Sequence, residues 1–390
     1  MRFLIIGPSN RFQSGISVYT EKIALGLAAR GHRVGLILLD RIVPSFIYPG
    51  RSRINNSPKL DFEEGNVEVL GVMNYHSLST KGIKRAVDAF DPHVSIIQWW
   101  TFAVFPMISR LTRLAYSLNG KVIFEMHEAI DQNDSRIPGV KRLSRSLSRR
   151  TLTKADGIIA HSISDVALIK EHFGLTGMEF LKLPHLNYDQ YGPLIDEDEA
   201  KSILGIEASR VILSFGLIRK YKGIMELIDI FNSMPNNDCA LLIVGEIWDE
   251  RAEISASIDA SPKRDSIILV DKYVDDDEVP LFFSAANVLA LPYSRASQSG
   301  VGAIALHYGI PIIAYAVGGL VESIGEYARG TLVPPGDKGG FVDAVVEGLD
   351  GGMDEPSSEN GHHGSTIGEV LNEMEAWVGK LRGIEYKVGS

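Results

Sequence analysis

Short apolar runs alternate with segments of helical spacing along most of this chain, and this alternation restricts it to an α/β fold. Residues 3–6 have the composition of a buried strand, residues 15–30 repeat apolar side chains at helical intervals, and residues 33–39 form another apolar run. A strand, a helix and a strand in this order form a parallel βαβ unit. Further strands are predicted at 67–70, 94–98, 122–126 and 157–160, with helices near 81–90 and 105–118. The first half therefore predicts a doubly wound, Rossmann-like sheet.

A second series of the same kind follows a segment that loses its periodicity. Residues 186–199 collect Pro, Gly, Asp and Tyr, and a chain of 390 residues with 45% hydrophobic residues can bury two cores. We predict Rossmann-like domains at 1–190 and 191–350, facing each other across a cleft. The polar segment 351–365 is expected to be flexible, and a helix within 366–390 is expected to pack back on the first domain. Strands of the second domain are predicted at 211–215, 240–244, 266–270, 288–291 and 311–314.

Charge and cysteine content exclude several classes of protein. The formal net charge of -10 argues against sequence-independent binding of nucleic acid, which needs a basic surface. The single cysteine, Cys239, cannot form an internal disulfide and fits a reducing compartment. Apolar runs are all shorter than the roughly 18 residues that span a bilayer. We expect a cytoplasmic protein.

Two glycine-bearing turns predict a diphosphate site in the second domain. In FGLIRKYKG (215–223), Gly216, Arg219 and Lys222 follow a strand and precede a helix. The segment 298–301 places Gln298, Ser299, Gly300 and Val301 at the start of another helix. Free backbone amides and the positive end of the helix dipole bind phosphate at such positions. The alternative interpretation is a pair of solvated basic residues and an ordinary serine cap.

These blocks, in this order, resemble a known enzyme family. Residues 13–34 (QSGISVYTEKIALGLAARGHRV), the turn at 215–223, the Gly-Glu pair at 245–246 and Pro292 are similar to the retaining, nucleotide-sugar-dependent glycosyltransferases with the GT-B fold, of the group 1 type found in bacterial polysaccharide and lipopolysaccharide synthesis. The family commonly carries two glutamates eight positions apart. Here Ala296 and Ile304 stand in those places, as in a subgroup with Gln-Ser-Gly and Tyr-Lys-Gly turns.

The resemblance implies a retaining, metal-independent sugar transfer with a UDP or GDP sugar as donor and no further cofactor. It implies that Arg219 and Lys222 stabilise the departing diphosphate, that His127 polarises a hydroxyl group, and that Glu128 orients the acceptor. A histidine that only ties down a loop is the alternative for His127. The residues that the resemblance assigns to donor binding are Ser14, Gly15, Gly216, Glu246, Tyr273, Gln298, Ser299, Gly300 and Val301.

Aromatic and basic residues predict contacts with the acceptor. Trp99 and Trp100 follow a strand and could stack on a sugar ring or pack in the core. The segment 140–154 carries Lys141, Arg142, Arg145 and Arg149 around an apolar stripe of Val140, Leu143, Leu147 and Leu152. Such a helix fits an anionic membrane surface or, alternatively, a solvated face. Three acids at 275–277 are interpreted as the start of a helix and not as a metal site.

Taken together, these features predict transfer of a sugar to a polysaccharide or lipid-linked glycolipid acceptor, by an enzyme that can rest on the inner face of the cell membrane. Two alternatives stay open. One is a nucleotide-sugar epimerase or a phosphorylase on the same scaffold. The other is a non-catalytic GT-B partner subunit, which the missing glutamates make conceivable.

Overall fold

A computed structural model describes residues 1–9, 15–41, 65–77, 79–128, 140–184, 186, 190–235, 238–297, 299–351 and 365–383. The chain forms two compact units. Unit 1 comprises residues 1–186 and 365–390, and unit 2 comprises residues 187–364. Most of the segment predicted to be flexible, and the residues Ser14 and Gln298, lie outside the described residues.

Unit 1 is built on a parallel sheet of seven strands in the order β3-β2-β1-β4-β5-β6-β7. Its strands are β1 (Arg2–Pro8), β2 (Arg33–Leu39), β3 (Val67–Met73), β4 (Val94–Trp99), β5 (Lys121–Met126), β6 (Gly157–Ala160) and β7 (Phe180–Lys182). Its helices are α1 (Gly15–Ala29), α2 (Lys81–Phe90), α3 (Phe105–Tyr116), α4 (Val140–Leu152) and α5 (Ile163–Phe173), with α13 (Ile367–Arg382) added from the end of the chain.

Unit 2 has a parallel sheet of six strands in the order β10-β9-β8-β11-β12-β13. Its strands are β8 (Arg210–Phe215), β9 (Cys239–Val244), β10 (Ile267–Val270), β11 (Val288–Leu291), β12 (Ile312–Tyr315) and β13 (Gly330–Val333). Its helices are α6 (Glu197–Leu204), α7 (Ile224–Ser233), α8 (Arg251–Asp259), α9 (Val279–Ser284), α10 (Gly300–Tyr308), α11 (Leu320–Gly325) and α12 (Lys338–Leu349).

The central strands are buried on both faces, which explains their continuous apolar composition. In β1 and β4, alternate side chains enter different cores: Leu4 and Ile97 belong to one cluster, whereas Phe3 and Ile96 belong to another. Helices on both faces of each sheet supply the opposite side of these cores. The predicted fold class, two Rossmann-like α/β domains, is confirmed. The short strands β7 and β13 were not predicted, because three or four partly exposed residues give little periodic signal.

The last helix, α13, completes unit 1 although it is distant in sequence. Its amino end carries a capping box between Thr366 and Glu369. The Glu375 carboxylate receives hydrogen bonds of 2.8 Å from Arg30 and 2.7 Å from His32. Trp377 fills the space above Gly157, where a Cβ would overlap the indole ring. Packing and buried polar contacts together fix this helix against α1 and the sheet.

Close backbone approach at glycines joins the loops at the carboxyl edge of the unit 2 sheet. Gly223 has a φ of +69°, and a Cβ placed on it would overlap the Pro292 carbonyl oxygen. Gly245, with a φ of +146°, lies equally close to the Gly216 carbonyl. The loops after β8, β9 and β11 therefore hold one another in position through main-chain contacts that no other residue permits.

We predict that Gly223→Ala destabilises the protein more than Gly205→Ala does. Gly205 is a matched control, because its φ of +68° is almost the same but nothing lies within 4 Å of its Cβ position. Both substitutions carry the left-handed penalty of roughly 1–2 kcal/mol. Overlap with Pro292 adds about 1–3 kcal/mol for Gly223 alone. Chemical denaturation measures the difference, and equal losses would refute the loop contact.

Candidate functional site

Both sheets reverse their strand order once, and several predicted site residues follow the strands at these reversals. The reversal lies between β1 and β4 in unit 1 and between β8 and β11 in unit 2. In open parallel sheets, ligands bind outside the carboxyl ends of the strands at such points. The loops after β8 and β11 hold Gly216, Lys222 and Ser299, and His127 directly follows β5.

Lys222 is a buried cation at the carboxyl end of β8. Its residue is only 7% exposed, and its Nζ donates a 3.3 Å hydrogen bond to the Phe215 carbonyl and lies 5.3 Å from the centre of the Tyr293 ring. None of the salt bridges found among the described residues involves Lys222. Burial lowers the pKa of Lys222, an effect that Tyr221 opposes and Arg219 reinforces. A buried ammonium group without a carboxylate partner favours an anionic ligand.

The amino end of α10 lies against the same glycine as Lys222. A Cβ placed on Gly216 would lie 3.0 Å from Val301 and 3.2 Å from Lys222 Nζ. Ser299 caps the helix, since its Oγ accepts a 3.0 Å hydrogen bond from a first-turn amide, and Gly300 begins the helix without a side chain. The positive end of this nine-residue helix therefore adds to the charge of the lysine. The combination suits a phosphate group.

Arg219 caps the short 3-10 turn that contains Lys222 but has a different environment. Its Nε donates a 2.9 Å hydrogen bond to Asp249, and its guanidinium group lies 5.1 Å from the centre of the Trp248 ring. Trp248 in turn donates a 2.9 Å hydrogen bond to the buried carboxylate of Glu246. A carboxylate thus balances the charge of Arg219, whereas the charge of Lys222 has no such partner in the described residues.

The remaining donor-site residues occupy different surroundings. Tyr273 is half-buried in the loop after β10, at the same sheet edge as Glu246. At the positions of the missing glutamates, Ile304 is only 4% exposed, and the Ala296 carbonyl accepts a 3.0 Å hydrogen bond from Gly319. These two positions therefore support packing and loop structure in this chain. In unit 1, Gly15 is exposed at the start of α1.

A buried carboxyl group in β5, Glu125, was missed by the sequence analysis. Tyr19 donates a 2.6 Å hydrogen bond to one of its oxygens, and the Gln98 amide donates a 3.1 Å bond to the other. Burial raises the pKa of Glu125 to about 7, although both hydrogen bonds act in the opposite direction. The only available signal was a single acid inside the apolar run VIFEM, which also fits an edge strand.

Two histidines lie beside this carboxyl group. His127 is 7% and His161 2% exposed, and their rings stack with centroids 4.9 Å apart. His161 Nε2 lies 3.1 Å from His127 Nδ1, and His127 Nε2 lies 4.0 Å from a Glu125 oxygen. Burial lowers the pKa of His161 to about 4, against the effect of its hydrogen bond to the Leu183 carbonyl. The structure therefore places the predicted His127 in a buried polar cluster.

Glu125, His127 and His161 are also the residues that could hold a metal ion. Their ligand atoms lie within 4.8 Å of one another, and carboxylate and imidazole ligands suit zinc. The carboxylate oxygens, however, accept hydrogen bonds from Tyr19 and Gln98. His161 Nε2 and His127 Nδ1 are joined by a hydrogen bond. Metal binding would have to replace this network.

The two predicted aromatic acceptor residues differ in burial. Trp99 is 5% exposed, and its ring lies 5.8 Å from Phe105 and 5.9 Å from Phe124, within the core. Trp100 and Glu128 are both half-buried in loops at the carboxyl edge of the sheet. Contact with a ligand is therefore more readily made by Trp100 and Glu128 than by Trp99.

Helix α4 buries serines and exposes arginines. Ser144 and Ser148 are 1% and 4% exposed, whereas Leu143 is 60% exposed and Arg142 is also exposed. Leu143 of the predicted apolar stripe is thus exposed, whereas the small serines form the packed face. The Lys141 side chain lies outside the described residues.

Two further arginines of α4 reach the end of α5. Arg145 Nε donates a 2.5 Å hydrogen bond to the His172 carbonyl, and the Arg149 guanidinium group lies near Gly174. Both residues are exposed. Basic groups at the carboxyl end of α5 also complement its helix dipole, so these two side chains have a structural role beside any contact with a partner.

Two family models match the chain, one on each unit. "Glycosyl transferase 4-like domain" matches residues 14–176, and "Glycosyl transferases group 1" matches residues 196–360. Together they cover most of the sequence.

Curated relatives are similar over part of their length. The 2-deoxystreptamine glucosyltransferase of Streptomyces kanamyceticus is 22% identical over 268 residues, which cover 65% of this chain and 66% of the relative. The GDP-mannose:glycolipid 4-beta-D-mannosyltransferase of Xanthomonas campestris pv. campestris is 31% identical over 104 residues, covering 26% of this chain and 29% of that protein. The chain thus spans less than two thirds of either relative in these alignments.

Solved structures are similar over nearly the whole chain. Sucrose-phosphate synthase from Thermosynechococcus elongatus has a TM-score of 0.73 at 18% identity, with 98% of this chain and 99% of that chain covered. Anabaena HepE, solved in complex with UDP-glucose, has a TM-score of 0.66 at 15% identity, with 98% and 100% covered. At these identities the likeness shows the fold.

We predict that Glu125→Gln changes the pH dependence of stability. A carboxyl pKa near 7 in the folded state and near 4.5 in the unfolded state makes the protonated form favourable for folding. The stabilisation that Glu125 gives to the folded protein is therefore complete below pH 4.5 and is lost as the pH rises to 7. The difference between its two pKa values corresponds to roughly 3 kcal/mol of unfolding free energy.

His161 has a lowered pKa and acts in the opposite direction, losing stability as the pH falls from 6.5 towards 4. Both the Glu125→Gln variant and the unmodified protein contain His161, so the difference between their unfolding free energies reports the effect of Glu125 alone. Unfolding free energies at pH 5 and pH 8 should show the variant gaining on the parent at the higher pH. If the unfolding free energies of the two proteins changed with pH in parallel, the raised pKa assigned to Glu125 would be contradicted.

Proposed function

Because the chain belongs to the glycosyltransferases with the GT-B fold, we propose that it transfers a sugar from a nucleoside diphosphate sugar to a glycan or lipid-linked acceptor. The observation that supports this most strongly is the buried ammonium group of Lys222 beside the amino end of α10. Expulsion of a diphosphate builds negative charge on the bridging oxygen as the sugar becomes cation-like. A fixed cation in a dry site stabilises that charge.

Within this proposal, the phosphate contacts are divided among three elements. Lys222 provides the compact charge, and the main-chain amides at 299–301 hold the outer phosphate. Arg219 uses Nε for its contact with Asp249, so its terminal nitrogens can donate to a phosphate oxygen. Glu246 and Tyr273, at the same edge of the sheet, are proposed to contact the nucleoside.

His127, Glu128 and Trp100 are proposed to act on the reacting sugars. His127 Nε2 polarises a hydroxyl group, Glu128 orients the acceptor and Trp100 stacks on it. Retention of configuration is part of the proposal and rests on the similarity of residues 215–223 and 298–301 to the retaining family. The donor base stays open between uracil and guanine, since a UDP-glucose complex and a GDP-mannose enzyme both occur among the similar proteins.

We propose that transfer proceeds without a divalent ion. The Glu125 oxygens, both ring nitrogens of His161 and Nδ1 of His127 are engaged in a hydrogen-bonded network, and the charge that a metal would bring to the diphosphate is supplied by Lys222 and α10. A non-catalytic partner subunit is a second candidate, favoured by the apolar residues Ala296 and Ile304. It would bind a partner transferase, and calorimetry would then show binding of neither UDP nor GDP.

The exposed face of α4 is proposed to contact an anionic membrane that carries the acceptor. Arg142 is exposed next to the exposed Leu143, and the exposed Arg145 and Arg149 lie further along the same helix. Basic residues close to an exposed leucine suit acidic lipid headgroups. Among the described helices, none combines the length and apolar character required to cross a bilayer. The proposed contact is therefore peripheral.

We predict that Lys222→Met abolishes most nucleotide binding without unfolding the protein. Loss of the cation should lower turnover of the accepted nucleotide sugar about 10²- to 10³-fold. Removal of a buried charge should leave stability unchanged or raise it. Lys220→Met is the control, because Lys220 lies in the same turn but is exposed and paired with Glu250. Calorimetry with UDP and GDP tests the prediction, which fails if both variants bind equally.

We also predict that Arg142→Glu weakens binding to vesicles containing phosphatidylglycerol by about 5- to 10-fold, since each basic residue near the surface contributes ~1 kcal/mol. Arg113→Glu, the same charge change on α3, serves as control. Cosedimentation measures both. If both variants bind the vesicles more weakly by the same factor, overall charge governs binding and α4 has no special role.

A further inference from the structure

A hydrogen-bonded chain of three residues leads from the main chain to His127. The Leu183 carbonyl oxygen, just after β7, lies 3.1 Å from His161 Nδ1. His161 follows β6, and its Nε2 lies 3.1 Å from His127 Nδ1. Both imidazoles are buried, and the Tyr19 ring packs edge-on against them at 5.1 and 5.6 Å. The two rings are therefore held in fixed orientations.

The chemistry of these atoms determines the direction of each hydrogen bond. A carbonyl oxygen only accepts, so His161 must carry its proton on Nδ1. His161 is only 2% exposed, and a charged imidazole is unfavourable in such surroundings, so the ring is neutral and its Nε2 accepts. The proton shared with His127 therefore belongs to His127 Nδ1. In neutral His127, the lone pair then lies on Nε2.

Glu125 does not force His127 into the opposite tautomer, which would carry the proton on Nε2. Its nearest oxygen is 4.0 Å from His127 Nε2, beyond hydrogen-bonding distance. Both of its oxygens accept shorter bonds, from Tyr19 and from Gln98. The tautomer of His127 is thus governed from the Nδ1 side.

We propose that His161 is a positioning residue that fixes His127 in the Nδ1–H tautomer, so that Nε2 is the nitrogen that accepts a hydrogen bond from a substrate hydroxyl. This inference rests on the proposed function for the role of His127 in transfer. The arrangement of protons itself is independent of that function. His161 does not touch the substrate; it acts through His127.

Nitrogen-15 NMR of the imidazoles in the full-length protein tests the arrangement of protons directly. In the unmodified protein, both histidines should show a protonated Nδ1 and a bare Nε2 at neutral pH. His161→Phe removes the acceptor, and His127 should then become a mixture of tautomers. His161→Gln places an amide oxygen near the original Nε2 and should restore the Nδ1–H form. A protonated Nε2 on neutral His127 in the parent, or an unchanged tautomer in His161→Phe, overturns the proposal.

Release of UDP from UDP-glucose and of GDP from GDP-mannose gives the functional readout. With whichever donor is accepted, His161→Phe should lower kcat by about 10-fold or more, but by less than the 10²- to 10⁴-fold that a complete general acid–base group contributes, with little change in KM for the donor. His161→Gln should recover most of the loss. An equal loss in both variants reduces His161 to a packing role and refutes the proposal. Failure of the parent to release either nucleotide, with the expected NMR result, counts against the proposed function alone.

Discussion

The buried ammonium group of Lys222 is the feature on which the proposed function of unit 2 depends. Removing a charge from water is unfavourable, and the Phe215 carbonyl and the face of the Tyr293 ring offset this cost only in part. The group is held in place because glycines at 216, 223 and 245 allow three loops to touch through their main chains. The same contacts bring the amino end of α10 to the lysine. The arrangement suits an anion, as the proposed function requires.

The two units share a topology but use the strand reversal for different chemistry. In unit 2 the edge of the sheet gathers a cation and helix amides, which suit a phosphate. In unit 1 the corresponding region gathers neutral or proton-sharing groups, among them Glu125, His127 and His161. Such groups are suited to hydroxyl recognition, because they accept and donate single protons without a strong field. The proposed function accordingly assigns binding of the charged donor to unit 2 and handling of sugar hydroxyls to unit 1.

The sequence was sufficient for the central strands, and insufficient for the edge strands β7 and β13 and for side-chain partners. Continuous apolar runs identified the central strands, and the KG pair located Lys222 beside β8. The sequence did not show that the charge of Arg219 is paired with a carboxylate, because its partner Asp249 lies in a loop thirty residues further along the chain. His161 joins His127 only through the pairing of β5 with β6, whereas Glu125 lies two residues before His127 and receives its hydrogen bonds from Tyr19 of α1 and Gln98 of β4. Nothing in the composition of residues 140–154 indicated that the serines at 144 and 148, and not Leu143, would be buried.

The most direct test of the central claim is a crystal structure of the protein with UDP or GDP bound. The account predicts diphosphate oxygens about 2.7–3.2 Å from Lys222 Nζ and from the main-chain amides that begin α10. A nucleotide bound elsewhere in the protein, or a Lys222 side chain that points away from the diphosphate, would contradict it.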